Sequence, residues 1–111
     1  MNGFEASRAF ERLRKKLEGE VLWIYVSNLL MNGRGLSVVE LKRELNEKFL
    51  ISVRTVYLYT VLYRMEREGL LRREARKSGE SIYFLTERGR EVYEKGIEYL
   101  KNKLQLLTAR Q

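Results

Sequence analysis

Seven cationic side chains crowd one stretch of the sequence. Arg54, Arg64, Arg67, Arg72, Arg73, Arg76 and Lys77 lie within residues 53–77, opposed there by Glu66, Glu68 and Glu74. That excess of four is over half of the net charge of +7 on a chain of 111 residues. Guanidinium and ammonium groups at this density suit a phosphate backbone, which they hold by charge and by charge-assisted hydrogen bonds. Other chemistry is scarce. The chain has no Cys and no His, and all 15 acidic residues are Glu. This removes thiolate nucleophiles, imidazole acid–base catalysis and the usual His or Cys zinc sites. No catalytic residue, cofactor or metal is expected, and the chain is not expected to be an enzyme.

These cations need a helix and a hairpin to position them. Ser52 can cap a helix over residues 53–68, its hydroxyl taking an otherwise unpaired backbone N–H. No Gly or Pro interrupts that segment, and Gly69 stands where a left-handed C-terminal residue is expected. Leu58, Leu62 and Met65 share one face, with Tyr59 beside it; Arg54, Tyr57, Val61 and Arg64 step by three or four along the opposite one. The second face, with Ser52 and Thr55 at the helix start, is the candidate for groove contact, because Arg reads guanine or holds phosphate and Tyr and Thr bond phosphate oxygens. A solvated face with intrahelical Glu–Arg pairs would carry the same residues. After Gly69, two short runs joined by Lys77-Ser78-Gly79-Glu80 read as a β-hairpin. Arg72, Arg73, Arg76 and Lys77 would grip phosphates from it, although a charged hairpin can also be simply a soluble edge. Ile82 and Phe84 alternate with Ser81 and Tyr83, so one face can cover the core.

The earlier segments complete the frame. Phe4, Ala6, Phe10, Leu13 and Leu17 punctuate a charged segment over residues 4–18, with the last four on one helical face. Gly19 either breaks this helix or sits inside a longer one at ~1 kcal/mol relative to Ala. Residues 21–31 are apolar nearly all round and should form a central helix. Trp23 within it is read as a packed aromatic, with a ligand platform as the alternative. Asn32-Gly33-Arg34-Gly35 ends it as a loop. Ser37 and Glu40 have capping-box spacing, and Leu41, Leu45 and Phe49 follow at steps of four. Helix, brief turn, helix and hairpin is the order of a winged helix-turn-helix.

Thr86 can cap a last helix over residues 87–107. Tyr93, Ile97, Leu100, Leu104 and Leu107 step by four and three along it, and an apolar stripe of that width must be buried somewhere. Pairing with the first helix of the same chain is one solution. A twofold homodimer is the one expected, with Phe10, Leu13 and Leu17 joining the stripe across the axis. The expected architecture is mainly α with a small β-hairpin (α+β), one domain over residues 1–111. Residues 1–31 form the N-terminal helix or helices, 37–69 the helix-turn-helix, 70–85 the wing and 86–108 the dimerisation helix.

The residues resemble the PadR-like family of winged-helix transcription regulators over about residues 21–104. The resemblance rests on the apolar first helix, on Tyr59 followed by Arg64-Met65-Glu66 and Glu68-Gly69-Leu70, and on Tyr83-Phe84-Leu85-Thr86 with Gly89. The chain departs from the family's Ser-Pro-x-Thr helix start. Ser52 and Thr55 echo it two residues too early, with Arg54 and Tyr57 in the matching places. The resemblance implies a homodimeric DNA-binding regulator, often a repressor, that dimerises through its C-terminal helix; it assigns no effector ligand.

The expected function is therefore a sequence-specific transcriptional regulator, acting as a homodimer on a near-palindromic site in double-stranded DNA. An architectural, chromatin-type DNA-binding protein of the same fold is the first alternative, and a winged-helix module that binds protein the second. No apolar run reaches membrane-spanning length and residues 1–19 show no signal-like stretch, so a soluble, cytoplasmic, nucleoid-associated location is expected.

Overall fold

A computed structural model describes residues 7–110, so the expected contributions of Phe4 and Ala6 lie outside the described residues. Helix α1 (Arg8–Lys15) starts at Ser7, whose hydroxyl accepts the Phe10 N–H at 3.2 Å. Gly19 neither breaks the helix nor continues it regularly. The chain widens into a π-helical turn, Lys16–Glu20, in which the Val21 N–H reaches back to the Lys16 carbonyl at 3.2 Å. An ion pair of 2.6 Å between Lys16 and Glu20 spans the same turn. Helix α2 (Leu22–Leu29) follows and is central, with Leu22, Val26, Leu29 and the adjoining Leu30 buried.

The capping box forms on α3 (Val38–Phe49): the Ser37 hydroxyl accepts the Glu40 N–H at 3.2 Å, and the Glu40 carboxylate accepts the Ser37 N–H at 2.8 Å. Leu41 and Leu45 are fully buried, and Phe49 meets Tyr25 edge-on at 5.0 Å. The turn then passes through Leu50 at φ +58° before α4 (Thr55–Arg67) begins. This start corrects the expected one. Arg54 occupies the N-cap position with no side-chain cap, and Ser52 lies exposed outside the helix, so its hydroxyl caps nothing. Arg54 is itself extended, at φ −70° and ψ 139°, so the first helical residue is Thr55.

The end of α4 matches its sequence signal. Gly69, at φ +78°, donates to the Glu66 carbonyl at 3.0 Å and Leu70 to the Met65 carbonyl at 2.8 Å, a Schellman closure. Strands β1 (Leu71–Ala75) and β2 (Ser81–Leu85) pair antiparallel, Leu71 opposite Leu85 and Arg73 opposite Tyr83. Leu36 adds a further bridge, exchanging backbone hydrogen bonds with Tyr83 at 2.9 and 3.1 Å. Both faces of β2 are covered, with Ile82 and Tyr83 each 5 % exposed. Leu71, Tyr83 and partly Leu85 join the core, while Ile82 and Phe84 lie over the backbone of Gly35, where a Cβ would overlap both side chains. The bridge to Leu36 holds that loop across the outer face, so β2 is covered on both sides.

Helix α5 (Glu87–Thr108) is tied to the end of α4 by one joint. The Thr86 hydroxyl donates to the Gly69 carbonyl at 2.6 Å and accepts the Gly89 N–H at 2.9 Å. Arg88 Nε donates to the Glu68 carbonyl at 3.1 Å, and a Cβ at Gly89 would overlap the Leu70 carbonyl. Glu68-Gly69-Leu70 and Leu85-Thr86 with Gly89, conspicuous in the sequence, thus form the hinge that sets the wing and last helix against α4. Arg90 closes α2 by donating to the Met31 carbonyl at 2.8 Å. Trp23 packs against the core with its ring over Gly96 of α5, the arrangement of a packed aromatic. Among the described residues, no helix is long and apolar enough to cross a membrane.

Candidate nucleic-acid interface

Helix α4 buries a wider arc than its leucines alone suggest. Leu58, Leu62 and Met65 face the core as expected, and Val61 joins them at 7 % exposed. Tyr57 is half-buried, its hydroxyl donating to the Gly19 carbonyl of the π-helical turn at 3.0 Å. Arg64 is exposed but lies beside Glu20, Trp23 and Val92 around a small cleft on that same side. The expected contact face is therefore corrected at Val61 and Tyr57, which are taken up by packing; Arg54 and Arg64 are exposed, Arg64 on the side of the Glu20–Trp23 cleft.

The side of α4 open to solvent carries Thr55, Val56, Tyr59, Tyr63 and Arg67. Val56 is 79 % exposed, Tyr63 58 % and Tyr59 52 %. Arg54 stands exposed at the head of this face, and Arg67 lies 5.8 Å from the Tyr63 ring. Helix α3 adds two residues that sequence reasoning missed. Val39 is 67 % exposed on its first turn, and Lys42 Nζ donates to Thr55 Oγ1 at 2.9 Å. Between this face and the wing runs an open cleft of about 540 Å3, lined by Val38, Val39, Tyr59, Tyr63, Glu66, Arg73 and Tyr83, among others.

The wing's charges are more nearly balanced than a count over residues 53–77 suggests. Arg72 meets Glu74 at 2.7 Å and stacks over the Phe84 ring at 4.3 Å. Arg73 meets Glu66 at 3.3 Å, and Arg76 meets both Glu80 at 3.0 Å and Glu40 at 3.3 Å. The Ser37 backbone N–H above all, then the Ser37 hydroxyl and the nearby Arg76 and Arg43, hold the Glu40 carboxyl below its ordinary value, against the opposing effect of its burial. Lys77, at the tip, enters none of the ion pairs among the described residues, nor do Arg54 and Arg67. Exposed Arg–Glu pairs are worth ~0–1 kcal/mol, so an incoming phosphate can displace the glutamates at small cost.

A second apolar surface lies on the opposite side. Leu13, Leu17, Leu100, Leu104 and Leu107 are exposed, and Phe10, Tyr93 and Ile97 are half-buried, with the Tyr93 hydroxyl accepting from Asn28 Nδ2 at 2.8 Å. A groove lined by Leu17, Ile24, Tyr25, Phe49, Ile97 and Leu100, among others, runs between the first helices and α5. Beyond it every α5 residue from Glu98 onward is exposed. Among the described residues no cluster of metal-ligating side chains occurs.

No protein-family model and no curated protein matches the sequence. Solved structures do match. F93 from STIV, described as a winged-helix DNA-binding protein, is 26 % identical with a TM-score of 0.65, over 81 % of this chain and 94 % of that one. A PadR-like transcriptional regulator from Bacillus cereus, BC4206, is 19 % identical with a TM-score of 0.65, over 88 % and 99 %. A second from that organism, BC1756, is 27 % identical with a TM-score of 0.57, over 68 % of this chain and 44 % of that one. The chain has the winged-helix fold, and its structural neighbours include PadR-like transcriptional regulators and winged-helix DNA-binding proteins.

Proposed function

We propose that this protein is a sequence-specific, DNA-binding transcriptional regulator that acts as a homodimer on a near-palindromic operator and represses by occluding it. The observation that carries the reading is the open face of α4, which offers Thr55, Val56, Tyr59 and Tyr63 between flanking cations and a wing. In this reading α4 enters the major groove. Arg54, Lys42 and Arg67 meet phosphates or base edges at its margins, with Ser52 beside the backbone at the helix entry. Arg72, Arg73 and Arg76 engage the adjacent phosphates from the wing, exchanging their glutamate partners for DNA, and Lys77 joins them from the tip. The structural neighbours, being transcriptional regulators and not enzymes, support the same class.

The homodimer would bury the stripe of Leu100, Leu104 and Leu107 with Leu13 and Leu17 across a twofold axis, setting the two α4 helices about one DNA turn, ~34 Å, apart or a multiple of it. The test is salt-dependent binding to pooled genomic fragments, with sequencing of what is retained at ~150 mM salt, where nonspecific binding has weakened steeply. One or a few enriched palindromes are the expected result. Sequence-blind retention would establish the architectural alternative instead, and no retention at any salt would end the DNA-binding reading.

A further inference from the structure

The side chains on the open face of α4 narrow what it can read. In the major groove, guanine is met by Arg or Lys, adenine by Asn or Gln and cytosine by Glu or Asp, whereas thymine is distinguished by apolar contact with its C5-methyl group. From Thr55 to Tyr63 the exposed positions hold no Arg, Lys, Asn, Gln, Glu or Asp; they are Thr55, Val56, Tyr59 and Tyr63. The two threonine hydroxyls are already engaged, which leaves the phenol hydroxyls of Tyr59 and Tyr63 as the polar groups of this face. Thr55 Oγ1 accepts from Lys42, and the half-buried Thr60 donates its hydroxyl to the Val56 carbonyl at 3.1 Å. Val56 and Val39, on neighbouring helices, remain more exposed than most aliphatic side chains of the helix-turn-helix, and neither belongs to the core. Cations flank the face, Lys42, Arg43, Arg54 and Arg67 among them, and would meet phosphates there.

Resting on the DNA-binding reading above, we infer that this face selects thymine: Val56 seats against thymine C5-methyl groups in the major groove, with Tyr59 and Val39 extending the apolar surface. Specificity is then carried by methyl contacts flanked by phosphate clamps, and the preferred half-site has T·A pairs at its centre.

The experiment begins with selection of duplexes from a random-sequence library by the full-length chain. Each thymine of the selected half-site is then replaced singly by uracil, which removes the C5-methyl and keeps every hydrogen-bonding group. Affinity is expected to fall about three- to ten-fold at one or two positions per half-site, the scale of burying one methyl. Val56→Ala should shrink that thymine-over-uracil preference at one position while leaving the salt slope unchanged, because the side chain is exposed and uncharged, and without lowering the melting temperature, because alanine is the better helix former. Equal affinity for thymine and uracil duplexes, or a selected site centred on G·C pairs, overturns the inference and leaves DNA binding standing. Failure to retain any duplex removes the DNA-binding reading itself, so the two failures are distinct.

Discussion

The Tyr57 hydroxyl donates a hydrogen bond of 3.0 Å to the carbonyl of Gly19 and so pins the second helix of the helix-turn-helix to the π-helical turn in the N-terminal segment. The bond explains why the Tyr57 side chain is drawn toward the N-terminal segment and away from the solvent-facing side of α4. Tyr57→Phe keeps the ring and removes the bond. It should lower stability by ~1 kcal/mol, measured by denaturant unfolding, and leave DNA affinity at 25 °C unchanged. A loss of DNA affinity without a loss of stability would mean that the hydroxyl faces the ligand after all.

That misplacement shows what the sequence could and could not convey. Leu58, Val61, Leu62 and Met65 stand at i, i+3, i+4 and i+7, the ordinary spacing of a buried helical stripe, so Val61 was legible as core. Grouping it with Arg54 and Arg64 followed the charges and overrode the apolar period. Tyr57 carried no such signal, because its partner is a backbone carbonyl 38 residues away. The capping box at Ser37 and the stop at Gly69 were readable because both are local and chemically specific. Glu80 was visible four residues from Arg76, but Glu40, its other partner, comes within 3.3 Å only through the packing of α3 on the wing.

The wing pairs predict an inverted mutational effect. Glu80→Gln releases one partner of Arg76 and should strengthen binding to operator and random duplexes alike, by about two- to five-fold at low salt, with a steeper salt dependence. Lys77→Ala should do the opposite, shallowing the salt slope by roughly one. Electrophoretic titration at several salt concentrations separates the two. If Glu80→Gln left both affinity and slope unchanged, Arg76 would lie off the phosphate path.

Glu40 links pH to stability with a definite sign. Its folded-state pKa lies below the ordinary glutamate value, because the Ser37 N–H first, then the Ser37 hydroxyl and the neighbouring guanidinium groups, outweigh the effect of burial. Its contribution is therefore present above the unfolded-state pKa and is lost as pH falls through the depressed folded-state value. Glu40→Gln keeps an acceptor and removes the charge, so it should cost ~0.5–1 kcal/mol at neutral pH and flatten the acid limb of the stability profile. Parallel acid limbs for the two proteins would show that the charge contributes nothing.

Leu50 is held at φ +58° with its side chain 82 % exposed, a left-handed conformation that L side chains adopt at a cost of ~1 kcal/mol. Leu50→Gly removes this strain and gives up little burial, with the added chain entropy of glycine offsetting part of the gain. Thermal unfolding should show a net stabilisation of up to ~1 kcal/mol. Destabilisation would imply that the leucine is covered in the functional assembly.

The stripe on α5 gives the dimer its test. Leu104 and Leu107 are 62 % and 83 % exposed and touch nothing in the core of their own chain, so carboxylates there leave the monomer's packing intact. In a twofold interface, however, Leu104→Glu with Leu107→Glu would bury like charges against one another, which is strongly unfavourable without a partner cation. Sedimentation velocity should show a protein of monomer mass with unchanged helical content. Affinity for a two-half-site operator should fall at least ten-fold, and affinity for an isolated half-site should hold, because only the linkage between two reading heads has been lost. A variant that sediments as a dimer would move the interface off α5, and the first place to look would then be Leu13 and Leu17 on the N-terminal segment.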